Sequence, residues 1–300
     1  MTMSRQSDAR EPQGIVAPGY RLPAATTVGA VRLLISDLDR SVTFYERVLG
    51  LRTVERSATA AALAPHNGAP ILIRLETAPG LRGIGRRGAL GLFHFAILLP
   101  DRAALGRFVA HLAAIGMAAG MSDHLVSEAI YLNDPDGLGI EVYADRPRST
   151  WEYADGQLRM TTEPLAVRDL VAAGGGKPWT GMPDGTVMGH MHLHVGDLAS
   201  AEAFFHRALG FDKVVWNYPG ALFLSAGGYH HHLGTNTWAP AVPPAADQAR
   251  LLSWDLVLPA EADVAAAIDS LERSGYAVER DGEHARVRDP WATTFRLVTR

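Results

Sequence analysis

Residues 190–211 read HMHLHVGDLASAEAFFHRALGF, and the order of residue types along them predicts a specific succession of secondary-structure elements. Its first part alternates between apolar and other residues, which is typical of a β-strand. Asp197 then marks the start of a helix, where an acidic side chain suits the positive end of the helix dipole. Gly210 marks the helix end, where a left-handed residue closes the last turn. The stretch therefore predicts a strand, a turn and an amphipathic helix.

The same pattern occurs four times along the chain. The copies are AVRLLISDLDRSVTFYERVLGL at 30–51, FHFAILLPDRAALGRFVAHLAAIGM at 93–117, the stretch at 190–211, and SWDLVLPAEADVAAAIDSLERSGY at 253–276. Further strand-like segments follow each helix, as in AIYLNDPDGLGIEVYAD, where Asn-Asp-Pro-Asp-Gly favours a turn between strands. The sequence thus predicts an α+β protein of four βαβββ modules, numbered one to four in chain order.

The repeat also divides the chain. Residues 1–27 are expected to form an N-terminal tail, 28–147 to hold modules one and two, and 188–300 to hold modules three and four. Residues 148–187 break the pattern and are interpreted as a connector. Its Gly-rich GGGKPW at 174–179 lacks the spacing and the strand–helix context of a phosphate-binding loop, so it is read as linker.

Composition narrows the function. The 300 residues are 47% hydrophobic, which is enough for a sizeable core, and the net charge of −4 gives no basic surface for nucleic acid. We find no apolar run of membrane-spanning length and no signal-peptide core, so a cytoplasmic protein acting on a small molecule is expected. A homo-oligomer is compatible with this composition. Because the chain has no cysteine, any metal must be held by His and carboxylate, which favours Fe(II), Mn(II) or Zn(II).

Two histidines occupy equal positions in modules two and three. His94 and His190 each stand seven residues before the Asp that begins the helix of their module. The outer modules carry Ala30 and Ser253 at this position. A lone His on a strand is more often a packed residue than a ligand, but the shared register favours a common role for these two.

With these features the chain resembles the vicinal-oxygen-chelate superfamily, which includes glyoxalase I, bleomycin-resistance proteins and type I extradiol dioxygenases. It is most similar to four-module catechol-2,3-dioxygenases, over roughly residues 28–300. The resemblance implies that pairs of modules form two cup-shaped mixed sheets. It also implies that metal ligands come from the first and last strands of a module.

Carried onto this chain, the resemblance implies His94, His190 and Glu141 as metal ligands. Two His and one carboxylate suit non-haem Fe(II), with Mn(II) or another divalent metal as the alternative. The three can meet only if module two faces module three and module one faces module four, whereas extradiol enzymes usually take their ligands from modules three and four. His192 and His194 share a strand face with His190 and are alternative ligands if the register is shifted.

The outer modules lack these ligands. Besides Ala30 and Ser253, module four has Arg296 at the position of the carboxylate. Since a partly buried charge without a partner is costly, an ion pair between Glu76 and Arg296 is expected to fill the vacated cup.

Three further residues match the catalytic segments of extradiol enzymes. Tyr131 stands ten residues before the ligand glutamate, and His124 lies upstream of it. His231, in GGYHHHLG, is the best match to the acid–base His, because strand alternation separates it from His230 and His232. The alternatives are that Tyr131 is an ordinary strand residue, that His124 is a solvated loop residue and that the three histidines are a chance cluster.

The expected function is cleavage of a catechol-like aromatic diol by O₂ at a metal. His231 would act as acid or base, Tyr131 and His124 would hydrogen-bond the substrate oxygens, and candidate wall residues are aromatic: Phe93, Phe95, Trp216 and Tyr218. Two alternatives are a glyoxalase-like isomerase or lyase, and a non-catalytic module that binds a small ligand as bleomycin-resistance proteins do.

Overall fold

The first two predicted modules each fold as a strand, a helix and three further strands. The computed structural model describes residues 13–85, 88–281 and 284–299. Module one comprises β1 (Thr27–Ile35), α1 (Leu38–Phe44, continued by a π-helical turn at Tyr45–Leu49), β2 (Arg52–Arg56), β3 (Ala60–Ala64) and β4 (Ile73–Thr77). Module two comprises β5 (Gly91–Leu98), α2 (Arg102–Ala114), β6 (Gly120–Asp123), β7 (Ser127–Asn133) and β8 (Gly139–Asp145).

The connector and the last two modules complete the chain. The connector holds a short hairpin, β9 (Tyr153–Ala154) and β10 (Gln157–Leu158), and α3 (Val167–Ala173). Module three comprises β11 (Val187–His194), α4 (Leu198–Ala201, continued by a π-helical segment at Glu202–Ala208), β12 (Asp212–Val215), β13 (Ala221–Ser225) and β14 (Leu233–Asn236). Module four comprises β15 (Arg250–Leu258), α5 (Glu261–Arg273), β16 (Val278–Asp281), β17 (His284–Arg288) and β18 (Thr294–Thr299). The predicted α+β class and the βαβββ unit are confirmed.

The predicted helix starts are visible as caps. Asp37, Asp101 and Asp197 each accept a hydrogen bond from the backbone amide three residues further on. This satisfies one of the amides that the first helical turn leaves unpaired. Gly210 follows the helix of module three with φ +95°, and a side chain there would meet the carbonyl of Tyr20. The turn therefore requires glycine.

Two eight-stranded mixed sheets result, and each draws strands from both halves of the chain. Their strand orders are β12-β13-β14-β11-β5-β8-β7-β6 and β16-β17-β18-β15-β1-β4-β3-β2. The central antiparallel pair β5–β11 joins module two to module three, and β1–β15 joins module one to module four. The pairing expected from the histidine register is therefore confirmed, and each sheet combines one module from 28–147 with one from 188–300.

Alternation along β11 separates the core from the concave face of its sheet. Met191 and Leu193 are buried in the main hydrophobic core, and His190, His192 and His194 point to the opposite face. The largest fully buried side chains include Trp254, Tyr45, Tyr143, Phe95, Phe108, Phe204 and Phe205. Within the described ranges, no helix has both the length and the apolar character needed to cross a bilayer.

The second sheet carries arginine where the first carries a carboxylate. Arg74 and Arg296 pair with β1 and β15 at the register position that Glu141 occupies opposite β5. Arg296 forms a two-pronged ion pair with Asp255, with both distances 2.7 Å, and Glu76 lies 3.4 Å from Arg32. These pairs take the place of the expected pair of Glu76 with Arg296, because Glu76 lies two residues beyond the equivalent position.

Candidate metal centre

Three adjacent central strands each contribute one residue to a cluster of polar side chains on the concave face of the first sheet. His94 lies on β5, Glu141 on β8 and His190 on β11. Their possible ligand atoms all lie within 4.8 Å of one another, and all three side chains are buried. Modules two and three therefore bring together three residues that are far apart in the sequence.

The carboxylate lies between the two imidazoles. Glu141 Oε2 is 3.0 Å from His94 Nε2 and 3.2 Å from His190 Nε2. The geometry toward His94 is too poorly aligned for a hydrogen bond, so His94 Nε2 is a buried polar atom without a partner in the described structure. A buried nitrogen of this kind, aimed at a carboxylate oxygen, fits a site built for a cation.

Burial and mutual contact set the charge of this group. Burial alone would raise the pKa of Glu141, but His190 and His94 lower it well below its usual value. Burial lowers the pKa of both histidines, although Glu141 opposes this effect. Near neutral pH the group is thus one carboxylate and two neutral imidazoles. Since a metal binds only deprotonated ligands, these residues could hold a divalent metal.

A cavity of about 220 Å³ adjoins this group. Its wall is largely aromatic and apolar, with a few hydroxyls, and the residues are Phe93, His94, Ser122, His124, Ser127, Tyr131, Glu141, Met160, Thr161, Thr162, His192, Tyr218, Phe223, His231 and Trp238. The small volume and aromatic wall suit one aromatic ring.

His124 and Tyr131 form a hydrogen-bonded pair in this wall. His124 Nδ1 lies 2.6 Å from the Thr161 carbonyl, and His124 Nε2 lies 2.6 Å from the Tyr131 hydroxyl. A carbonyl only accepts, so Nδ1 carries the proton, and Nε2 of the neutral ring accepts the Tyr131 O–H. Burial and the nearby Glu141 raise the pKa of Tyr131 well above its usual value. Tyr131 therefore remains a phenol, with its oxygen lone pairs available to a ligand.

His231 lines the cavity beside His190, with ring centroids 4.1 Å apart. Its neighbours turn away from the cavity: His230 hydrogen-bonds Asp145, and His232 accepts from the backbone of Ala226. The structure thus brings together all six residues that the resemblance singled out.

Comparison with known proteins agrees with this geometry. The family model described as Glyoxalase/Bleomycin resistance protein/Dioxygenase superfamily matches residues 27–142 and 187–291. The chain belongs to this superfamily. It is 43% identical over 270 residues to a protein named catechol-2,3-dioxygenase from Bacillus subtilis (strain 168), which covers 88% of this chain and 94% of that protein.

Solved structures show the superfamily fold. A putative dioxygenase from Bacillus subtilis subsp. subtilis str. 168 aligns with a TM-score of 0.62 at 14% identity, over 93% of this chain and 86% of that one. Glyoxalase I from Zea mays aligns with a TM-score of 0.55 at 17% identity, over 92% of each chain. At these identities the likeness concerns the fold alone.

The alternative ligands on β11 have other surroundings in this superfamily member. His192 lines the cavity between Phe93 and Trp238, and burial lowers its pKa well below its usual value. His194 Nδ1 lies 2.6 Å from the Asn236 side-chain oxygen. Among the described residues, the cluster with metal-ligand spacing contains His190 and neither of these two.

The aromatic wall differs in part from the expectation. Phe93 and Tyr218 line the cavity as expected. Phe95 is fully buried in the core because it points to the other face of β5, and Trp216 packs at the edge of the core beneath Lys213. Phe223 and Trp238 complete the aromatic wall instead.

Sequence reasoning missed two parts of the site. Met160, Thr161 and Thr162 reach the cavity from the connector, and they carry no pattern that a superfamily repeat would reveal. Asp145, which binds His230, had a detectable signal, since it lies on the strand face of Glu141 by two-residue alternation.

Proposed function

We propose that the protein is an Fe(II)-dependent extradiol dioxygenase that opens the ring of an uncharged catechol-like diol with O₂. The observation that carries the proposal is the convergence of His94, Glu141 and His190 beside an aromatic cavity of one-ring size. The 43% identity to a protein named catechol-2,3-dioxygenase supports the reaction class.

His94, His190 and Glu141 would hold the metal. When bound, it supplies a centre at which both diol oxygens and O₂ meet, and it lowers the pKa of a coordinated hydroxyl. Two imidazoles and one carboxylate leave coordination positions free for these partners. Mn(II) would use the same ligands, so the preference for Fe(II) rests on the chemical type of the donors, two imidazoles and one carboxylate.

The other polar residues would handle protons and hydrogen bonds. His231 lines the cavity, and burial lowers its pKa well below its usual value, so the ring is neutral in the free protein. A neutral imidazole keeps one nitrogen lone pair, which would accept the proton of a diol hydroxyl that the metal has made more acidic. The Tyr131 hydroxyl donates its hydrogen bond to His124, so its oxygen would accept a hydrogen bond from the second hydroxyl. The hydroxyls of the diol thus meet two acceptors of different strength.

The cavity wall determines which substituents the substrate ring can carry. Phe93, Met160, Phe223 and Trp238 are apolar, and no Lys or Arg stands among the described residues of this wall. A ring carboxylate would lose its hydration here without gaining a cation, which is costly. Unsubstituted and alkyl-substituted catechols are therefore the proposed substrates.

Anaerobic loading of the protein with Fe(II) tests the proposal. O₂ uptake and the yellow ring-cleavage product should appear with catechol and alkylcatechols, and both should disappear in His190→Ala. His66→Ala changes an exposed histidine in the turn after β3 and is the matched control, expected to behave as wild type. Stoichiometric metal binding without O₂ uptake on any diol would sink the proposal in favour of isomerisation or ligand sequestration.

A further inference from the structure

A buried chain of hydrogen bonds leads from His231 away from the cavity to the end of β8. His231 Nδ1 lies 2.7 Å from His230 Nδ1, and His230 Nε2 lies 3.0 Å from Asp145 Oδ1. His230 is 0% exposed and His231 6%. Two adjacent histidines are hydrogen-bonded to each other through their Nδ1 atoms, and the chain ends on a carboxylate. Each of these hydrogen bonds must therefore have one defined donor and one defined acceptor.

The carboxylate fixes the direction of each bond. An ionised carboxylate only accepts, so His230 Nε2 donates to Asp145. A neutral imidazole has one N–H, so His230 Nδ1 is left as an acceptor and His231 Nδ1 donates to it. The remaining nitrogen of His231, Nε2, then carries a lone pair and no proton.

A second donor chain ends on the same oxygen. The Tyr229 hydroxyl donates to Asp145 Oδ1 over 3.1 Å, and the Tyr143 and Tyr229 hydroxyls are 2.7 Å apart. Burial raises the pKa of both tyrosines well above the usual value, so both remain donors. Because Glu141, Tyr143 and Asp145 alternate along β8, one strand face carries the metal-site carboxylate and the residues of this network.

We propose that Asp145 and His230 are positioning residues that hold His231 in the tautomer with its proton on Nδ1. The inference rests on the proposed function, in which His231 accepts a proton from the diol. In the other tautomer His231 would present an N–H where an acceptor is needed, and the first proton transfer would fail. A carboxylate–histidine pair that orients a third group is a general way to fix a tautomer.

The tautomer can be read on the metal-free protein by long-range ¹H–¹⁵N correlation of ¹⁵N-histidine, with His231→Gln identifying the His231 signals. In the wild type, Nδ1 of His231 should be protonated and Nε2 bare. His230→Phe should give a mixture of both tautomers, whereas the control Tyr229→Phe removes the other donor to Asp145 and should leave the His231 signals unchanged. A wild-type His231 with its proton on Nε2 overturns the proposal.

Turnover of the Fe(II)-loaded protein gives the second readout. His230→Phe should lower kcat by about 10-fold to 100-fold with KM within about twofold, since the orienting partner is lost and the cavity is not. Asp145→Asn keeps the size of the side chain and serves if His230→Phe does not fold; its amide also donates, so mixed tautomers and a smaller loss of kcat are expected. Wild-type tautomer and kcat in both variants would refute the positioning role. Absence of ring cleavage in the wild type would refute the proposed function alone, because the tautomer is measured without metal.

Discussion

His94 lies opposite His192 across the antiparallel pair β5–β11, with their ring centroids 4.9 Å apart. Opposite residues on one face of such a pair are direct neighbours, so the strand register alone brings His192 to the edge of the candidate metal centre. His192 faces Phe93 and Trp238, and among the described residues it is not a member of the cluster of Glu141 with His94 and His190. We therefore assign His192 to the wall of the cavity.

His192→Phe should retain stoichiometric Fe(II) binding, because an aromatic ring of similar size leaves the three proposed ligands in place. KM for catechol should change by about threefold or more, since a wall residue acts on substrate binding. Metal content after dialysis and steady-state O₂ uptake measure the two effects. His94→Ala is the comparison and should lose the metal; loss of metal in His192→Phe as well would contradict the assignment.

Met160→Arg should shift selectivity toward diols that carry a carboxylate. A guanidinium in the apolar wall would pair with the ring carboxylate, and a charged hydrogen bond is worth about 1.5 kcal/mol or more, which corresponds to about tenfold in kcat/KM. The ratio of kcat/KM for a carboxylated catechol to that for catechol measures the shift. Met160→Leu keeps the wall apolar and should leave this ratio at the wild-type value, and an already high ratio in the wild type would argue against an uncharged substrate.

Asp134→Asn should remove part of the pH dependence of stability. Asp134 accepts two backbone amides and the Tyr45 hydroxyl, and burial raises its pKa to about 6. A raised pKa in the folded state stabilises the fold at low pH, and this contribution is lost as pH rises through about 6. Relative to the variant, the wild type should gain about 1 kcal/mol between pH 8 and pH 5 in urea unfolding.

The turn of module four provides the matched comparison. Asp289 also accepts two backbone amides, and burial raises its pKa to about 6. Asp289→Asn should therefore show the same sign, and the double variant should lose both contributions. A wild type that becomes less stable than the variants as pH falls to 5 would show that the sign is wrong.

Asp255→Ala should lower the free energy of unfolding by about 1–3 kcal/mol, because it leaves the partly buried Arg296 without the carboxylate that receives two of its N–H groups. The change lies in the second sheet, so Fe(II) content and kcat should match the wild type. Chemical unfolding beside metal analysis measures both. Loss of metal in this variant would contradict this expectation, because it would show that the two sheets are coupled more strongly than the described contacts indicate.

The register of the repeat was the sequence feature that predicted most of the candidate site. Seven residues separate both His94 and His190 from a helix-starting Asp, and this shared register, together with the ligand set that the resemblance implies, predicted that modules two and three meet. Such spacing can be detected in the sequence because strand alternation and helix caps are local, periodic features of the chain. The position of Glu76 was misread because register along the last strand of a module depends on the preceding turn, whose length differs between modules.

The remaining parts of the site depend on contacts that no periodicity records. Met160 reaches the cavity because the hairpin of the connector packs beside β12, which places a nearby irregular segment over the metal centre. His230 and His231 are adjacent in sequence, and which of them faces the cavity depends on a loop between β13 and β14. The packing of irregular segments therefore could not be predicted from sequence periodicity.

The order in which the strands pair also affects how the protein folds during its synthesis. Modules two and three are consecutive, so every strand of the first sheet has been synthesised before β15 is made. β1 can pair with β4 of its own module early, but it must wait for β15 in the last module before the second sheet can close. Contacts of such long sequence separation form slowly, so the sheet with the candidate metal centre can assemble during synthesis, while the sheet that carries Arg74 and Arg296 closes last.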